Sequence, residues 1–218
     1  MLTFPKSTVF GRRIPKQKFY EHLEVNGEIR KIFVEQVRLI TWANKLSVTT
    51  MNIAPGEEVS EIEVFHIKLT GMELDQRVLT LMDKQIPYHI LFLLERSDGL
   101  YQMAVTYKEA SQTGSSAFQL KQSYHTEWME QDALSLSLDG LDMDALYETI
   151  VRSIAGDAIT APEADSLKEA VAQTQEREKI EREIEKLRSK MKKEKRLAKQ
   201  MELRREIQRL EAGLKEDT

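Results

Sequence analysis

The chain has 218 residues and a mass of 25.3 kDa, with 41% hydrophobic, 31% charged and 7% aromatic residues and a formal net charge of −4. That length suits one globular body with an extension, and a mean hydropathy of −0.46 suits a folded, water-soluble protein. Zero cysteines exclude disulfides, thiol nucleophiles and Cys-ligated zinc or iron–sulfur centres, while the lack of a long apolar run or an apolar leader segment points away from membranes and towards the cytoplasm.

In chain order, residues 1–26 read as an irregular basic arm. Pro5, Gly11 and Pro15 break it, and Lys6, Arg12, Arg13, Lys16 and Lys18 precede its first acid, Glu21. Residues 28–45 place Ile29, Ile32, Phe33, Val37 and Ile40 at helical spacing, which predicts one amphipathic helix. The β-branched stretch that follows is broken by Pro55 and Gly56 and reads as a short strand or loop. Glu61 to Leu69 alternates and predicts a strand. Residues 73–84 predict a helix through Leu74, Val78, Leu81 and Met82, closed by Pro87. Tyr88 to Leu94 is almost wholly apolar, as a buried central strand should be. The Ser97-Asp98-Gly99 turn then predicts a hairpin into residues 100–108, with a further strand near 118–124. Strand, helix and strand over 61–94 make a β-α-β unit.

Beyond Pro162 the character changes, for Glu163 to Ala212 contains no Gly, Pro or aromatic residue. A continuous helix of that length would span roughly 75 Å. Ile180, Ile184, Leu187 and Met191 form a coiled-coil seam. Leu203, Ile207, Leu210 and Leu214 resume it in another register, so a rod with a stutter and a folded-back helix both fit. The expected fold class is therefore α+β: a small mixed sheet with flanking helices over 1–156, then a long charged helical tail over 163–216. The seam calls for a partner, whether a second copy, another protein or the helix's own other half.

Charge is unevenly shared. Residues 163–218 hold 16 Lys/Arg against 14 Asp/Glu, a net of +2, which leaves −6 on residues 1–162. Lys190, Lys192, Lys193, Lys195 and Arg196 concentrate the tail's positive charge, and Arg12, Arg13, Lys16 and Lys18 concentrate that of the arm. Both are candidate contacts for phosphate backbones.

Catalytic motifs are absent: there is no Walker loop, GxGxxG, GxSxG or HExxH. No cofactor or resident metal site is expected. Two alternatives to an accessory role are a stand-alone DNA-binding module using the two basic stretches, and a divergent metal-dependent nuclease with Glu35, Glu61 and Glu63 as carboxylates and Lys68 as the phosphate-side charge. Four residues separate Glu63 from Lys68, however, and strand alternation sends Lys68 to the other face. His66 and His89, set among apolar residues, read as packing histidines.

Several ordered short motifs carry a family likeness: IPK (Ile14 to Lys16), WANKLS (Trp42 to Ser47), EIEVFHIKL, IPYHILFLL (Ile86 to Leu94), TYKEA and YHTEW. In this order they resemble a bacterial domain of unknown function encoded beside Swi/Snf-type or type III restriction-like helicases and adenine-specific DNA methyltransferases. The resemblance covers roughly residues 1–150 and transfers no catalytic residue. It implies a non-enzymatic accessory subunit of a restriction-like or antiphage defence complex. Such a subunit would dock to a helicase or methyltransferase, and the two basic stretches would give it optional contacts to the DNA backbone.

Overall fold

The computed structural model describes residues 2–20, 27–111, 118–159 and 166–216. Two compact units divide after Gly156. The first is an α+β body around a six-stranded mixed sheet, with strands β1 (Val9–Ile14), β2 (Val37–Ser47), β3 (Glu61–Leu69), β4 (His89–Glu95), β5 (Tyr101–Glu109) and β6 (Gln119–His125). These lie side by side in sequence order. All neighbours are antiparallel except β3 and β4, which α3 (Gln76–Gln85) joins as a parallel pair. The β-α-β unit expected over 61–94 is present. Asp75 opens α3 by accepting from the Arg77 N–H, and the helix ends before Pro87, which cannot continue it.

The helix expected over 28–45 is half strand. α1 (Gly27–Gln36) gives way directly to β2, which carries bulges at Val37/Leu39 and Trp42/Asn44. A bulge inserts one residue, so Val37 and Ile40 reach the same core at a spacing of three and imitate a helix. The arm is also more regular than expected. β1 pairs with β2 as an edge strand, and Gly11, at φ +65°, supplies the left-handed residue at its register shift. The stretch after β2 is a single helical turn, α2 (Val48–Met51), opened by a capping box between Ser47 and Thr50.

One sheet face packs Phe65, Ile67, Ile90, Phe92 and Leu94 against Phe33 of α1 and Val78 and Met82 of α3, all buried. Each such side chain contributes about 1.5–3 kcal/mol by leaving water. Against the other face lies α4 (Met143–Ala155), whose Tyr147 stacks on Tyr107 and donates to the Thr106 carbonyl at 2.9 Å. The Asp144 carboxylate, on the first turn of α4, accepts from the backbone N–H groups of Glu57, Glu58 and Val59. Gly56 makes that approach possible, since a Cβ there would lie 2.3 Å from Asp144 Oδ1.

The second unit is a helical hairpin. α5 (Leu167–Lys193) is the long charged helix, opened by a Ser166 cap, and residues 194–196 lead into α6 (Leu197–Glu216). Residues 163–165, where the sequence places the tail's start, lie outside the described residues. Ile184, Leu187 and Ile207 are buried together, flanked by Ile180, Met191, Leu203, Leu210 and Leu214. Arg188 and Glu211 bridge the two helices at 2.7 Å. The change of seam register is thus a reversal of the chain, and the two half-seams face each other.

Candidate functional site

Among the titratable groups of the body, three are built around partly or fully buried side chains of the sheet. At the start of β3, Lys45 pairs with Glu61 at 2.7 Å, and the Trp42 indole N–H donates to Glu63 Oε2 at 2.6 Å. Glu63 is 1% exposed, and its Oε1 has no hydrogen-bond partner among the described residues. Burial pushes its carboxyl up to about 7 against the Trp42 bond, with Glu61 adding to the rise and Lys45 opposing it. At the far end of β3, Glu95 meets Lys68 at 2.9 Å and His66 at 2.7 Å. Burial lowers His66. It also works against Glu95, but Lys68, His66 and Tyr101 outweigh it and hold that carboxyl below its ordinary value. The third group is fully buried: Lys108 Nζ lies 2.7 Å from Asp83 Oδ1 and donates to the Tyr88 carbonyl at 2.9 Å. Burial lowers Lys108 and raises Asp83. His89, packed between Phe118 and Tyr147, is pushed down to about 3, chiefly by burial and then by Lys108.

The four nuclease candidates do not converge. Glu61 and Glu63 share one end of β3, whereas Lys68 sits at the other end and is held by Glu95. Glu35 is an exposed residue of α1, 3.8 Å from Lys31. Among the described residues, no group of three or more His, Asp or Glu is arranged to hold a metal ion.

The arm's cations part company. Arg12 lies over the Phe10 ring at 4.7 Å, and Phe10 in turn packs on Trp42 at 4.2 Å. Arg13 and Lys16 line one groove together with Arg38 of β2, a residue the sequence had not singled out. Lys18 stands exposed on the helical turn after Pro15.

In the second unit the tail's five cations come together at the hairpin tip. Lys190, Lys192 and Lys193 end α5, and Lys195 and Arg196 fill the turn; all five are exposed. Glu194 organises this turn by accepting from the N–H groups of Lys195 and Arg196 at 2.9 and 3.0 Å, which lowers its pKa. The shaft is laced with ion pairs, among them Glu176–Lys179, Arg177–Glu181, Glu183–Lys186 and Arg188–Glu211. None of the five tip cations has a salt-bridge partner among the described residues.

No curated protein and no solved structure matches this chain. A family model does, over residues 2–214, and it runs through the helical hairpin as well as the body that carries the short motifs. The chain belongs to the family described as the domain of unknown function DUF4391.

Proposed function

We propose that this protein is a non-enzymatic accessory subunit that contacts the DNA backbone through its hairpin tip. The observation that carries this is the exposed cluster of Lys190, Lys192, Lys193, Lys195 and Arg196, without ion pairs among the described residues, at the end of a helix, α5, whose preceding charges are largely paired. Lysines in the last turn of α5 complement its dipole, which is a structural gain. Lys195 and Arg196 stand before the first turn of α6, where the dipole disfavours cations. Stability does not ask for them there, and a polyanion does. Leu197, 72% exposed, and Met201 add apolar surface beside the cations for contact with sugar or partner.

A docking partner of helicase or methyltransferase type follows from the motif resemblance, and with it a place in a restriction-like defence complex. The non-enzymatic part of the reading is supported by the three titratable groups. Lys68 and Lys108 are held by carboxylates, and Glu61 and Glu63 have neither Lys68 nor Glu35 beside them.

The test is duplex binding by the full chain across a salt series. Each phosphate engaged adds about 0.9 to the log–log salt slope, so replacing all five cations by Gln should flatten it by about four to five units. A slope that is flat in the wild type, or equal in the variant, overturns the DNA reading. Failure to co-purify with a helicase or methyltransferase encoded beside it overturns the docking half.

A further inference from the structure

The groove on the body invites a separate assignment. It encloses about 270 Å³ between the end of β1 and the start of β2, and its walls are Arg13, Ile14, Pro15, Lys16, Arg38 and Leu39 with neighbouring backbone. Among the described residues, no carboxylate lines it. The Arg13 and Arg38 side chains are exposed and have no ion pair or hydrogen bond among the described residues. By contrast, Arg77, Arg96 and Arg152 of the same unit are each held by an acid: Asp75 and Glu28, Asp98, and Glu148. The Val37/Leu39 bulge falls at Arg38, and a bulge is the usual way for a strand to re-aim one side chain. The Lys16 ammonium donates to the carbonyls of Val34 at 2.9 Å and Val37 at 2.8 Å. An ammonium has three N–H donors, so one is left over. The charge is thereby fixed in place before any ligand arrives.

We propose that this groove binds a phosphate group, either as a backbone phosphodiester or as the phosphoryl end of a nucleotide. Two guanidinium forks match phosphate oxygens in paired fashion, and the fixed ammonium supplies a third charge. The volume lies just below the usual range for ligand pockets, which fits a phosphate with its sugar against Ile14, Pro15 and Leu39 rather than a larger molecule. The assignment stands whether or not the hairpin tip meets DNA.

The experiment follows backbone amide shifts of the full chain during titration with inorganic phosphate, then a nucleoside 5′-monophosphate, then a duplex without terminal phosphates. Saturable shifts are expected at Arg13, Lys16 and Arg38, weakened about tenfold or more in the R13Q/R38Q variant, since each lost charged hydrogen bond is worth at least that. Both side chains are exposed and unpaired, so the variant folds as the wild type does. Displacement of phosphate by the duplex identifies the backbone as the source, and binding confined to the monophosphate identifies a free nucleotide. Shifts no larger than those of chloride at matched ionic strength, or equal in the double variant, overturn the proposal. Exchanging only the five tip cations leaves these shifts in place, so failure at the tip and failure at the groove are read apart.

Discussion

Glu63 shows how much a single buried carboxyl governs. Folded, it keeps its proton up to about pH 7; unfolded, it releases it near 4.5. Between those values the native state binds the extra proton, so stability falls as pH rises through the window. Glu63→Gln keeps an acceptor for Trp42 and removes the charge. It should raise stability at pH 8 by about 2–3 kcal/mol and erase that slope, as denaturant melts at pH 5 and pH 8 would record. Lys108 and Asp83 behave oppositely, because each needs the other. Lys108→Met strands a buried carboxylate and should cost about 3–5 kcal/mol, while adding Asp83→Leu should recover most of the loss. A double variant as unstable as the single one would refute this view of the pair. The sequence showed Glu61 and Glu63 on one face and Lys68 on the other, by alternation alone. It does not show Trp42 or Lys45 beside them, because both come from β2, whose apolar spacing imitates a helix.

At the scale of elements, the legible ones were those whose side chains keep a simple period. β3, α3, β4 and β5 fall close to their expected bounds, and the apolar run of β4 lies between β3 and β5 as a central strand should. β2 was misread because its bulges replace a period of two by steps of three. α4 carried a full signal that went unread: an Asp142 cap, Leu146, Tyr147, Ile150, Val151 and Ile154 on one stripe, and Gly156 at its end. Its Asp144 also holds the 57–59 loop. Asp144→Ala should therefore cost about 2–3 kcal/mol, the worth of hydrogen bonds to a charged group, and Gly56→Ala should destabilise through the same contact. Thermal melts of the two single variants and the double check this, since a shared contact makes their costs less than additive.

For the whole molecule, the hairpin decides what the seam is free to do. Ile184, Leu187 and Ile207 are buried within one chain, so the apolar stripe needs no second copy. Light scattering should find the full chain monomeric at micromolar concentration. A dimer would mean that residues 194–196 open and the two helices exchange between chains, as a swapped hairpin does. The same reversal gathers the five tip cations, which in a straight rod would lie spread along one helix.

The sequence by itself determined the α+β class, the β-α-β unit, the change of character near residue 162 and the two basic stretches. These depend on local period, on breakers and on counts of charge, all of which a chain carries in its own order. Only the tertiary structure decided which partners those residues meet. Arg13 joins Arg38 and leaves Arg12 on Phe10, the tail's seam closes on itself, and Lys68 is taken by Glu95. The first two outcomes follow from a bulge or a turn that shifts register or reverses the chain, and the third from the parallel β3/β4 pairing that sets Lys68 beside Glu95. Such a shift costs little locally, but it changes every contact that follows.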